Sequence, residues 1–245
     1  MTLIKLDSIA STNDYLKELS KTQSCDDFTV VVTQSQTKGR GQRDSIWESE
    51  PSKNLTFSIL KNIERMPLSD QFKLNMAVCL GIVEGLSFWK SSGLSVKWPN
   101  DIMSDDKKLG GVLVENVVIG QIWKHSVIGI GINVNQTDFD HLPQATSLAL
   151  GSGKIISKDQ LLEQLRLALE QRLEAIEDQP FGLIKSDYLK LLYRFGVSSK
   201  FQTPEGQLFN ALITDVNEIG QLELTQDSQP RYYDLKSVKM IYCNI

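Results

Sequence analysis

The stretch TKGRGQRDSIW, residues 37–47, sets Gly39, Gly41, three cations and an indole side by side in a chain that is acidic overall. Gly39 and Gly41 allow backbone approaches that a Cβ would forbid. Lys38, Arg40 and Arg43 supply donors, and arginine presents a rigid fork suited to phosphate or carboxylate. Trp47 offers a flat face on which an adenine could stack. These types together suit an anionic nucleotide held on a loop. They equally suit a solvated loop anchored to the core by its tryptophan. The spacing matches neither G-x-x-x-x-G-K-[ST] nor G-x-G-x-x-G opening a helix, which removes the two familiar nucleotide loops.

Three further stretches carry chemistry. SVKWPND, 95–101, ends a strand on a lysine, an amide and a carboxylate, where a sheet fixes position and a loop supplies reach. A plain proline turn would use the same Asn100 and Asp101 for turn geometry. KKLGGVLVE, 107–115, leads two lysines into a glycine pair, and glycines inside a strand mark close approach of a ligand or another backbone. Lys108 at such a mouth could offset charge developing on a phosphate, although lysines at strand starts are commonplace. In VIGIGINV, 127–134, Gly129 and Gly131 strip side chains from one strand face, which opens a slot or admits a helix.

Elements of alternating type must position these groups. Ser11 and Asp14 form a capping pattern ahead of Tyr15, Leu16 and Leu19, predicting a short helix. Residues 28–32 and 55–60 read as strands, and 68–90 as a helix whose middle is buried all round. A strand over 94–98 stops at Pro99. The segments 109–119 and 121–134 form a hairpin about Gly120. Helices are expected over about 157–177 and 182–194. Beyond Phe195 short apolar runs at 209–213 and 221–224 alternate with turn signals at 204–206, 217–220 and 227–230, predicting a small β-barrel. The expected division is 1–195 and 196–245.

Bulk properties limit the function classes. The 245 residues carry a formal net charge of −4 and a pI of about 5.3, which offers no general basic face for nucleic acid. No apolar run reaches membrane-spanning length, and no signal-peptide core opens the chain. Cys25, Cys79 and Cys243 are odd in number and far apart, which argues against a disulfide framework or zinc knuckle and fits a reducing cytoplasm. His125 and His141 are the only histidines, so a His-rich metal site is not expected, while magnesium arriving with phosphates stays open.

Taken in order, SerThrAsn at 11–13, GlyArgGlyGln at 39–42, Trp47, LysTrpProAsnAsp at 97–101, LysLysLeuGlyGly at 107–111 and GlyIleGlyIleAsn at 129–133 resemble the biotin protein ligase family, monofunctional type. The resemblance implies an α+β fold: a mixed sheet backed by helices, like class II aminoacyl-tRNA synthetases, with an SH3-like C-terminal barrel. It implies that biotin and ATP, with Mg2+, become biotinyl-5′-AMP and pyrophosphate, and that the biotinyl group then passes to a lysine of a biotin carboxyl carrier domain. By the same resemblance Ser11, Thr12, Asn13, Gln36, Arg40, Gly41, Gln42, Lys108 and Gly111 line a biotin pocket. Arg40, Arg43, Trp47, Lys97, Asn100, Lys108 and Asn133 meet the nucleotide. Lys108 and Arg40 are expected to carry the chemistry together with Asp101, which its own place beside the loop makes the candidate to orient the acceptor amine.

Two departures stand out. Position 42 is Gln where many such loops have Arg, and Asp44 and Ser45 stray from the usual continuation. The chain starts ten residues before Ser11, so no helix-turn-helix is expected and no DNA partner. The protein is expected to be cytoplasmic, a monomer or homodimer. A lipoate or octanoate transferase is the nearest rival reading, and a non-catalytic nucleotide-binding module a rival of another kind.

Overall fold

The computed structural model describes residues 2–42, 45–90 and 92–241. Arg43, Asp44 and Cys243 lie outside these residues.

A seven-stranded mixed sheet organises the chain. Its strands are β1 (Leu3–Ile9), β2 (Val30–Gln36), β3 (Leu55–Asn62), β4 (Leu94–Lys97), β5 (Asp101–Ser104), β6 (Lys107–Ile119) and β7 (Ile122–Ile132), in spatial order β1-β2-β3-β7-β6-β5-β4. Only β1 and β2 run parallel; the other neighbours are antiparallel. The connection between those parallel strands carries helix α1 (Thr12–Thr22), capped by the Ser11 side chain accepting from the Asp14 amide, as the capping pattern predicts.

Alternation along the central strands separates two faces. In β3, Leu55, Phe57 and Ile59 enter the main core, while Thr56 and Ser58 turn the other way. In β7, Ile128, Ile130 and Ile132 join that core, while on the other face Gly129 meets Asn13 of α1 and Gly131 meets Trp47. Against the apolar face pack α2 (Gln71–Ser87), α4 (Lys158–Glu174) and α5 (Phe181–Leu191). Helix α2 is buried nearly all round because α4 covers its outer side, and a Cβ on Gly85 would come 2.9 Å from the Leu165 Cα. Close approach of these backbones is what the two glycines of α2, Gly81 and Gly85, permit. A short helix α3 (Leu148–Ser152) closes on Gly153, whose φ of 68° is the left-handed cap glycine adopts readily.

Residues beyond Phe195 form a second, antiparallel sheet of β8 (Ser199–Gln202), β9 (Leu208–Val216), β10 (Leu222–Gln226), β11 (Gln229–Tyr233) and β12 (Lys239–Ile241), in order β11-β10-β9-β8-β12. Phe201, Ile213, Leu222 and Leu224 belong to the same apolar cluster as α2 and the large sheet, so the core continues across residue 195. The Trp98 indole donates to the Gly220 carbonyl at 2.9 Å, and Gly220, with φ of 88°, lies against Phe72.

Several boundaries differ from the sequence expectation. Strand β1 was not anticipated, although Ile4 and Leu6 alternate with Lys5 and Asp7 as an edge strand does. The strand expected over 28–32 runs instead from Val30 to Gln36, since Phe28 takes a positive φ of 58° and the polar end at Ser35 and Gln36 is paired with β1. Strand β5 also went unread, because four residues between a proline turn and a polar turn carry little periodic signal.

Candidate active site

The open face of the sheet holds a cavity of about 250 Å³. Its floor is polar. Thr12, in the first turn of α1, donates from its backbone amide to Gln36 Oε1 at 2.8 Å and from its hydroxyl to the same oxygen at 3.1 Å. The buried Ser58 hydroxyl lies 2.7 Å from Thr12 Oγ1 and 2.6 Å from Asn13 Oδ1. Asn13 donates from Nδ2 to Glu115 Oε2 at 2.7 Å and to the Leu113 carbonyl at 3.3 Å. These partners fix its amide with the oxygen toward Ser58. Gly129 leaves the space for it, because a Cβ there would overlap the Asn13 amide. The alternatives left open for the glycine strand therefore resolve into both: Gly129 admits α1, and Gly131 faces the cavity beside Trp47.

The loop of 37–47, through its described residues from Arg40 to Gln42 and from Ser45 to Trp47, forms one wall. It folds back on itself through an antiparallel bridge between Arg40 and Ile46, with the Gly41 amide donating to the Ser45 carbonyl at 2.7 Å and the Trp47 amide to the Gly39 carbonyl at 3.1 Å. A Cβ at Gly39 would collide with the Trp47 carbonyl, so the fold-back needs glycine there. The Trp47 indole covers Gly131, and its buried Nε1 has no hydrogen-bond partner. A buried donor left unpaired is destabilising by about 1–3 kcal/mol, and a ligand acceptor would relieve it. Arg40 Nη2 is held by Asp14 Oδ1 at 2.6 Å and Glu115 Oε2 at 3.2 Å.

The opposite wall comes from β5 and β6. A bulge where Ile102 and Met103 face Lys108 and Gly110 reverses the alternation of β6. Without it Leu109 would point into the cavity. With it Leu109 joins the helix-side core and Lys108 faces the cavity, its ammonium 2.6 Å from Asp101 Oδ1. Gly111 sits beside Lys108, close enough that a Cβ would touch the ammonium. The Trp98–Pro99 turn that sets Asn100 and Asp101 is held from behind, its Pro99 carbonyl accepting from Asn75 Nδ2 at 2.8 Å and the Tyr188 hydroxyl at 3.2 Å.

The sequence-derived residues thus fall into groups. Ser11, Thr12, Asn13, Gln36, Arg40, Gly41, Gln42, Trp47, Asn100, Asp101, Lys108 and Gly111 line one cavity. Asn100 is buried and donates its amide to the Val112 carbonyl in a short contact. Lys97 lines a neighbouring cavity of about 450 Å³ between the two sheets, which shares Gln42 and Asp101 with the first. Burial lowers the Lys97 pKa, and Asp101 opposes that shift. Asn133 is buried elsewhere, donating to the Thr146 carbonyl at 3.0 Å, and is not among the lining residues. Sequence reading missed Thr56, Ser58 and Glu115. Polar residues at alternate positions of an otherwise apolar β3 were the available signal for the first two.

Comparison with known proteins places this geometry. The family described as Biotin/lipoate A/B protein ligase family matches residues 6–133. The chain is 28% identical over 236 residues to the bifunctional ligase/repressor BirA of Bacillus spizizenii, covering 94% of this chain and 72% of that protein. It is 25% identical to the biotin--[acetyl-CoA-carboxylase] ligase of Mycobacterium tuberculosis, covering 89% of this chain and 82% of that protein. Among solved structures, the biotin protein ligase from Aquifex aeolicus in complex with biotin and ATP superposes with a TM-score of 0.80 at 25% identity, covering 99% of both chains.

Proposed function

The chain belongs to the biotin/lipoate A/B protein ligase family, and from that membership we propose that it activates biotin with ATP and transfers it to a lysine of a biotin carboxyl carrier domain. The observation that carries this reading is the likeness, over 99% of both chains, to a biotin protein ligase whose structure holds biotin and ATP. The cavity's chemistry agrees with it. Short hydroxyl and amide groups on Thr12, Asn13, Gln36 and Ser58 suit the neutral ureido ring, and Ile46, Val112, Leu113 and Ile130 add apolar lining for the tail.

In the first step a biotin carboxylate oxygen attacks the α-phosphorus of ATP. A new P–O bond forms, the bond to the β-phosphate breaks, and pyrophosphate leaves. Two anions must meet, so Lys108 and Arg40, both on the cavity wall, lower the repulsion and stabilise the charge of the transition state. Asp101, paired with Lys108 at 2.6 Å, holds that ammonium in place. In this account Trp47, on the wall of the first cavity, meets the adenine, and Lys97, in the neighbouring cavity that shares Gln42 and Asp101, meets the nucleotide from the other side. Among the described residues no three His, Cys, Asp or Glu side chains cluster as a metal site. The magnesium such chemistry uses would be held mainly by the nucleotide's phosphates, with Asp101 the carboxylate at hand, and would supply charge neutralisation.

In the second step the acceptor amine attacks the acyl carbon. A C–N bond forms, the acyl–phosphate bond breaks, AMP leaves and the amine gives up a proton. Asp101 orients that amine in this account. Asp101→Asn should slow transfer to the carrier more than it slows pyrophosphate release; equal slowing of both would remove the orienting role. The test of the reaction itself supplies labelled biotin or lipoate with ATP and magnesium and follows the acyl-adenylate. Adenylate from biotin supports the proposal, and adenylate from lipoate alone overturns it.

A further inference from the structure

Glu115 stands just beyond the cavity lining and touches three groups that matter to it. It lies on β6 two residues past Leu113, on the face that carries Gly111, with its side chain 23% exposed. Its carboxylate accepts from Asn13 Nδ2 at 2.7 Å, from Lys17 Nζ at 2.9 Å and from Arg40 Nη2 at 3.2 Å. Asp14 completes the cluster, 2.6 Å from Arg40 and 3.1 Å from Lys17. Two carboxylates thus face two cations, and only one of those cations, Arg40, sits on a loop.

We propose that Glu115 is a positioning residue of this site, fixing the Asn13 amide for the ligand's polar ring and parking Arg40 until an anionic group draws it away. This inference rests on the ligase reading for the identity of the ligand, not for the contacts. Asn13 could offer either its oxygen or its NH2 to the cavity. Glu115 and the Leu113 carbonyl both accept, so only the NH2 can face them, and the oxygen is turned to Ser58. Arg40 is different. Its two carboxylate partners hold it through Nη2 alone, and a phosphate or carboxylate could engage the whole guanidinium fork in exchange. Lys17 makes that exchange possible. It lies within 3.1 Å of both carboxylates, so they keep a cation after Arg40 departs. The Arg40 side chain therefore exchanges one set of anionic partners for another rather than passing from a free state to a bound one.

Two substitutions separate the roles. Glu115→Asp is one methylene shorter: long, flexible Arg40 and Lys17 can follow it, but the rigid Asn13 contact is lost. Its KM for biotin in biotin-dependent pyrophosphate release should rise about tenfold or more, the size of one hydrogen bond to a charged group, with kcat and Tm little changed. Glu115→Gln combined with Asp14→Asn keeps an acceptor for Asn13 but releases Arg40. In that variant the amides of residues 38–47 should exchange hydrogen several-fold faster without ligand, and at the wild-type rate once biotin and ATP are bound. An unchanged KM in the first variant, or a rise matched by a loss of Tm, overturns the role toward Asn13. Unchanged loop exchange in the second overturns the parking of Arg40. Should the wild-type chain release no pyrophosphate with biotin, the ligase reading fails, and the exchange comparison still decides whether Glu115 and Asp14 hold the loop.

Discussion

The two faces of the seven-stranded sheet use the same strands for opposite purposes. Toward α2, α4 and α5 the side chains of Leu55, Phe57 and Ile59 on β3 and of Ile128, Ile130 and Ile132 on β7 are almost fully buried. Toward α1 the same strands present Thr56, Ser58, Gly129 and Gly131, and the helix answers with Thr12 and Asn13. One face excludes water by packing. The other packs Leu60 and Val127 against Leu16 of α1 and, around the cavity, keeps polar groups satisfied by one another; among the described residues one buried side-chain donor beside the cavity, Trp47 Nε1, has no partner. The alternation of one strand is therefore enough to place stability and chemistry on opposite sides of a layer one residue thick, and substitutions on the two faces should separate cleanly.

The largest expected effect lies on the open face. Lys108→Ala should reduce biotin-dependent pyrophosphate release by about a hundredfold or more, the scale of removing one preorganised charge from a transition state, while the unfolding midpoint stays near that of the wild type. Equal loss of activity and stability would mean that the two faces are not independent. On the packed face the pattern should invert. Leu165→Ala, beneath Gly85 of α2, is expected to lower stability by about 3 kcal/mol in denaturant unfolding, with KM for biotin and ATP unchanged in the folded fraction.

Gly131→Ala tests the border between the faces, since its methyl would overlap the Trp47 indole. The ring must move, so activity should fall several-fold while stability falls by about 1–3 kcal/mol, the range for overpacking. Full activity would show that the indole has no part in shaping the cavity. The smallest effect concerns His125, whose pKa is held below the ordinary 6.5 by burial. The unfolded chain then takes up the proton first. Stability from this group is present above about pH 6.5 and declines as pH falls below it. His125→Gln should flatten that part of the stability–pH curve without altering the cavity.

Much of the packed face was legible in the sequence, because long apolar periods such as Leu161, Leu162, Leu165, Leu169 and Leu173 admit one reading. The capped start of α1 and the hairpin about Gly120 were legible for the same local reason. The open face was legible only as motifs. Nothing local tells that the bulge opposite Ile102 and Met103 turns Lys108 rather than Leu109 into the cavity, because a bulge is set by pairing with another strand. Nor could the sequence reveal that Glu115 reaches Asn13, about a hundred residues away, since only the sheet brings β6 beneath α1. Nor does anything local show that Asn133, expected to meet a nucleotide, donates its amide to the Thr146 backbone carbonyl.

The most direct test of the account is to give the purified chain biotin, ATP and magnesium and to measure pyrophosphate together with the acid-labile adenylate. The account predicts biotinyl-5′-AMP formed in step with pyrophosphate, and its loss on Lys108→Ala in a protein that still unfolds at the wild-type midpoint. Pyrophosphate release that does not depend on biotin, or adenylate that survives the loss of Lys108, would contradict it.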